Sequence, residues 1–105
     1  LNRQSSPDLY VITLLKVFGS LSNLRSVIRQ GRICYIKVND PNLVSMAQLN
    51  KICMRKPRYE RNRNVYILDI GDNCAIITEK LSKMIAEISE SADNYIPLSQ
   101  EFIIR

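Results

Sequence analysis

The apolar residues of this chain fall in short runs, and this feature constrains its fold most. Runs rich in β-branched and aliphatic side chains occupy residues 10–17, 33–38 and 64–70. Each run has the length of one largely buried strand. Gly71-Asp72-Asn73 then separates the third run from a further apolar run, residues 74–78, which is the form of a β-hairpin. The sequence therefore predicts four short strands.

Segments with helical spacing of apolar residues lie between these runs. Residues 21–28, with a serine as N-cap and Gly31 as the stop, predict a short amphipathic helix. Helix-forming residues predict a second helix between residues 43 and 54. After Thr78, a possible N-cap, the apolar residues from 81 to 88 follow the i, i+3, i+4, i+7 spacing of a third helix.

The predicted order is β-α-β-α-β-β-α, with residues 102–104 as a possible last strand. This order predicts an α/β (α+β) two-layer sandwich, in which helices cover a mixed sheet of four or five strands. The length of 105 residues suits one domain. We expect a polar N-terminal tail over residues 1–9 and a single α/β domain over residues 10–105. A small sheet gains stability by pairing across a twofold axis, so a homodimer is expected.

The residues for common catalysis are scarce. The chain has no histidine, so a Ser-His-Asp or Cys-His site cannot be built from it. Cys34, Cys53 and Cys74 are widely spaced among apolar neighbours, which predicts buried thiols in a reducing, cytoplasmic protein and not a zinc site. Turn chemistry accounts for Asp69 and Asp72, and no glycine-rich nucleotide-binding motif is present. The sequence predicts no enzyme, no metal and no cofactor.

Residues 51–63 are the strongest compositional anomaly. They hold six basic residues and one acid, a local balance of +5 that equals the formal charge of the whole chain. Such a segment can follow a phosphate backbone, because arginine matches phosphate geometry and a tyrosine can stack on a base. It can also be a solvated loop or a site for an acidic protein tail. The candidate partner- or nucleic-acid-binding residues are Lys51, Arg55, Lys56, Arg58, Tyr59, Arg61 and Arg63.

Several local features are shared with a known family. They are the first predicted strand, Phe18 and Leu21 before the first predicted helix, Arg29-Gln30-Gly31-Arg32-Ile33 entering the second strand, Val38-Asn39 at its end, and Asp69-Ile70-Gly71-Asp72-Asn73 leading to Ile76-Ile77-Thr78. On these features, residues 10 to about 79 resemble the core domain of SepF-like cell-division proteins. The resemblance implies a non-enzymatic dimerising scaffold that binds the C-terminal tail of the tubulin-like protein FtsZ. It also implies membrane attachment through an amphipathic helix that is not in this sequence.

The same element order is similar to a second family, the Alba-type fold. Alba-type proteins are small, basic and dimeric, and they bind DNA or RNA. This resemblance implies a chromatin or RNA-binding protein that uses the basic residues of the 51–63 segment. The two hypotheses differ in their partner, an FtsZ tail in one case and nucleic acid in the other.

Overall fold

A computed structural model describes the backbone of residues 6–104 and the side chains of residues 6–90. The helices and strands in chain order are α1 (Pro7–Val17), β1 (Leu24–Gln30), β2 (Ile33–Val38), α2 (Met46–Ile52), β3 (Arg58–Glu60), β4 (Val65–Asp69) and α3 (Cys74–Ile104). Short 3₁₀ turns lie at Leu21–Asn23, Pro41–Leu43 and Gly71–Asn73. Among the described helices, none combines the length and the hydropathy that crossing a membrane requires.

The four strands form one sheet in the order β1-β2-β4-β3, and every neighbouring pair is antiparallel. β1 and β2 form a hairpin, in which Gln30 pairs with Ile33 and Gly31 has a φ of 63°. Four residues join β3 to β4, and Asn64 among them has a φ of 55°. The predicted α+β class is confirmed. The predicted mixed sheet is wrong, because all three neighbouring strand pairs are antiparallel. Short loops join β1 to β2 and β3 to β4, as antiparallel pairs allow, whereas parallel strands need a longer crossover.

The helices cover one face of this sheet, which we call the inner face. On β2 the inner residues are Cys34, Ile36 and Val38, and on β4 they are Tyr66 and Leu68, all of them buried. Buried helix residues complete the same cluster; they are Tyr10, Val11, Leu14 and Val17 from α1, Leu49 and Ile52 from α2, and Cys74, Ile77 and Leu81 from α3. The two predicted layers are therefore a sheet and a layer of helices.

The first predicted strand, residues 10–17, is in fact part of helix α1. The Oγ of Ser6 accepts a hydrogen bond from the backbone N–H of Leu9 at 3.2 Å, and Pro7 occupies the first turn. Both features favour a helix start. The buried residues at positions 10, 11, 14 and 17 have helical spacing. Helix α1 begins at Pro7, within the segment 1–9 that the sequence predicts as a polar tail.

Three further predicted elements have a different secondary structure from the one expected. Residues 21–28, predicted as a helix, form a 3₁₀ turn and most of strand β1, and Gly31 lies in a hairpin turn instead of ending a helix. Residues 74–78, predicted as a strand, form the first turns of α3. The possible last strand at residues 102–104 is also α3 backbone. The predictions of strands near 33–38 and 64–70 and of a helix within 43–54 are confirmed.

Candidate functional site

The second face of the sheet, which we call the outer sheet face, is accessible to solvent. Side chains alternate along a strand, so the neighbours of the buried inner residues point to the opposite face. The strand register assigns to it Ser26, Ile28 and Gln30 of β1, Ile33, Tyr35 and Lys37 of β2, Arg58 and Glu60 of β3, and Val65, Ile67 and Asp69 of β4. These residues are half-buried or exposed, whereas the inner residues of β2 and β4 are buried.

The centre of the outer sheet face is apolar. Tyr35 lies opposite Ile28 on one side and Ile67 on the other. Ile28 is the most exposed large hydrophobic residue of the described side chains, with 62% of its surface accessible. Ile33 and Val65 extend the apolar centre along the strands, and both are half-buried. Apolar surface in such a contiguous group is typical of an interaction site.

Cations surround this centre in two shallow depressions that meet at Tyr35. Lys37 and Arg63 line the first depression. Arg55, Lys56 and Arg58 line the second. The arrangement places positive charge on both sides of an apolar floor, which suits a ligand that combines flat apolar groups with negative charges.

Acidic residues form ion pairs with some of these cations. Asp69 Oδ1 lies 3.6 Å from Arg32 Nε, and its Oδ2 lies 3.6 Å from Arg55 Nε. The Nε of Arg63 donates to Glu60 Oε1 at 2.8 Å. Among the described residues, Lys37, Lys56 and Arg58 form no ion pair. Their charges are therefore available to an external anion.

The structure brings together four of the seven candidate residues at the outer sheet face, namely Arg55, Lys56, Arg58 and Arg63. Arg61 is exposed in the turn between β3 and β4. Lys51 lies elsewhere, beside Lys16 in a depression between α1 and α2. The basic segment is continuous in the sequence, but α2 carries its first residue to the helical layer.

Tyr59, predicted to stack on a base, belongs to the inner face. Its ring lies 4.6 Å from that of Tyr66, and its hydroxyl bonds Asn64 Oδ1 at 2.8 Å. It also packs against the hydrophobic core. The ring contact with Tyr66 and the hydroxyl bond to Asn64 are both internal, so Tyr59 lies on the opposite face of the sheet from Arg58 and Tyr35.

Sequence reasoning missed Tyr35, Lys37 and Ile28 as members of the site. A signal was present in residues 33–38, where Cys34, Ile36 and Val38 alternate with Tyr35 and Lys37. Alternation with period two is typical of a strand with one covered and one open face. Treating the run as buried on both sides concealed that pattern.

The sequence predicts three buried thiols, and the prediction is confirmed for two of them. Cys34 and Cys74 are buried and Cys53 is half-buried, and all three, which lie in the described part of the chain, are free thiols. The hydroxyl of Thr78 lies 3.8 Å from Cys34 Sγ and 3.7 Å from Cys74 Sγ. Burial raises the pKa of Cys34 to about 12, so this thiol stays protonated at neutral pH and is a poor nucleophile.

Comparison with known proteins gives no relative for this arrangement. No protein-family model, no curated protein and no solved structure matches the chain.

Proposed function

We propose that the protein binds nucleic acid through the outer sheet face. The observation that carries the proposal is an open, apolar sheet centre with Lys37, Lys56 and Arg58 around it, none of them in an ion pair within the described residues. Nucleic acids combine phosphates, which attract cations, with flat bases, which contact apolar and aromatic surface. Both parts of the ligand have a counterpart on this face.

Salt dependence of binding tests the proposal. The triple variant Lys37→Ala, Lys56→Ala, Arg58→Ala removes three cations from the outer sheet face. Each lost phosphate contact should flatten the plot of log affinity against log salt concentration by about 0.7 for single strands or 0.9 for duplex DNA. We therefore expect a flatter slope, by about two units or more, and weaker binding of DNA and RNA in titrations from low to physiological salt.

A second triple variant provides the matched control. Lys16→Ala, Lys51→Ala, Lys83→Ala removes the same charge from exposed residues of the helices. A general electrostatic attraction would respond equally to both triple variants, whereas a defined site responds to the first much more strongly. Equal losses, or no nucleic-acid binding by the parent protein, would reject the proposal.

The division-scaffold hypothesis stays a prediction. It requires an acidic protein tail as the partner, and the cations of the outer sheet face could also serve such a tail. Two elements on which the SepF-like resemblance was drawn differ in the structure, since residues 10–17 are helical and residues 24–30 form a strand. The affinity for an FtsZ-tail peptide should be measured under the same conditions as the affinity for DNA and RNA. Binding of that peptide without binding of nucleic acid would favour the scaffold.

A further inference from the structure

We infer that the nucleic acid bound at this face is single-stranded, and that one of its bases stacks on Tyr35. The inference rests on the proposed function and specifies its ligand. Tyr35 lies in the central strand β2, where both depressions of the outer sheet face meet. It is half-buried, and its hydroxyl makes one exposed hydrogen bond of 3.3 Å to Gln30 Oε1.

The chemistry of the sheet centre favours unpaired bases. Proteins read duplex DNA mainly by hydrogen bonds to base edges in the grooves. The centre of this face offers the side chains of Ile28, Ile33, Val65 and Ile67, which cannot make such bonds. In a duplex the apolar faces of the bases are stacked on each other, whereas in a single strand they are accessible. An apolar floor around one tyrosine therefore fits a single strand.

The position of the cations fits a backbone that crosses the sheet. Lys37 of β2 lies opposite Ser26 and Val65. Arg58, which is on the edge strand β3, lies opposite Ile67 of β4. Lys37 is on β2 and Arg58 is on β3, and the two strands are about 10 Å apart, because β4 lies between them and neighbouring strands are separated by about 4.8 Å. Four-stranded sheets that recognise RNA stack two or three bases on one face. Phosphates on both sides of a stacked base would therefore reach a cation.

A second copy of this chain is the poorer occupant. Pairing two outer sheet faces about a twofold axis would place the cations of one copy, Lys37, Arg58 and Arg63 among them, close to those of the other. The carboxylates on this face, Glu60 and Asp69, already contact cations of their own chain. Charge complementarity favours an anionic partner over a copy of the same chain.

Substitution of Tyr35 tests the inference. The probes are a single-stranded oligonucleotide of about 16 nucleotides, the upper end of common site sizes, and a duplex of the same length. Tyr35→Ala should weaken single-strand binding roughly 5- to 150-fold, the usual effect of removing one stacking side chain. Tyr35→Phe, which keeps the ring, should bind as the parent does. Leu43→Ala is the apolar control, because Leu43 is exposed outside the sheet.

A spectroscopic variant separates stacking from a structural effect. The chain contains no tryptophan, so Tyr35→Trp introduces a single reporter at the site. We expect it to keep single-strand affinity, and we expect its emission to be quenched when a base stacks on the indole. Unfolding in urea confirms that each variant is folded before its affinity is compared.

The outcomes distinguish this inference from the proposed function. If the triple cation variant loses binding while Tyr35→Ala does not, or if duplex binds more tightly than single strand, nucleic-acid binding stands and the stacking inference is wrong. If the parent protein binds neither probe, both fail. Sedimentation that shows a dimer dissociated by Tyr35→Ala would mean that a second copy covers the face, which also overturns the inference.

Discussion

Among single residues, Asn23 shows how a buried polar side chain joins separate segments. Its amide Nδ2 donates to the carbonyls of Phe18 and Asp40 at 2.9 and 3.0 Å, and its Oδ1 accepts from the N–H of Asp40 at 2.8 Å. The residue is 97% buried. It fixes the end of α1 to the segment after β2 through hydrogen bonds to backbone groups of both segments.

Replacing Asn23 should therefore be costly. Asn23→Ala removes these three hydrogen bonds and leaves the buried carbonyl of Phe18 and the N–H of Asp40 without these partners, so we expect the free energy of unfolding to fall by about 3 kcal/mol. Asn39→Ala is the control, because Asn39 is exposed and donates one side-chain bond, to Ser22; it should cost at most about 1 kcal/mol. Urea unfolding measures both. Equal losses would show that the buried network is not the reason.

At the level of elements, the hairpin between β1 and β2 depends on its turn. Gly31 has positive φ at the first of two connecting residues, a conformation that glycine adopts without steric cost. A Cβ at this position would meet no atom within 4 Å. Any cost of substitution therefore comes from backbone conformation and not from a clash.

This gives a clean test of the turn. Gly31→Ala should lower the free energy of unfolding by about 1 to 2 kcal/mol, the penalty of a left-handed conformation for a residue with a Cβ. Gly31→Asn should cost less, because asparagine adopts this conformation more readily. Thermal or urea unfolding measures the difference. An alanine variant as stable as the parent would contradict the turn geometry.

The molecule as a whole places ionisable groups from every layer in one core. Tyr10 of α1, Cys34 of β2 and Cys74 of α3 are buried together. Burial is the main cause that raises the pKa of each. Folding therefore requires these groups to be neutral, and stability must depend on pH where they would otherwise ionise.

The expected pH dependence has a definite sign. In the unfolded chain the Cys34 thiol ionises near its ordinary pKa of 9.0, whereas the folded protein holds it protonated to about 12. The unfolded state then binds fewer protons, so the free energy of unfolding falls as pH rises from about 9 toward 12. Urea unfolding across this range, with a reductant present, should show a shallower decline in Cys34→Ala and Cys34→Ser. If the free energy of unfolding of both variants declined with pH as steeply as that of the parent, burial of the Cys34 thiol would not be a cause of the pH dependence.

The sequence predicted β2, β4 and α2 because their local signals agree. Residues 33–38 are rich in β-branched residues and are followed by turn-forming residues. Ser45 caps the next helix, because its hydroxyl accepts from the Gln48 N–H at 3.3 Å. Residues 10–17 carried conflicting signals. Their composition favours a strand, whereas Ser6, Pro7 and the spacing of the buried residues favour a helix. The helix prevailed because it buries its apolar side against α2 and α3.

The sequence by itself determined the turn positions, the apolar runs and the concentration of positive charge in residues 51–63. These are local properties, which follow from backbone preferences and side-chain chemistry. The tertiary structure alone decided which side of each strand the helices cover. As a result, Tyr59 packs against the core and Tyr35 lies on the outer sheet face. Lys51 lies apart from the other cations, between α1 and α2. Such placements depend on packing between distant segments, which no local pattern contains.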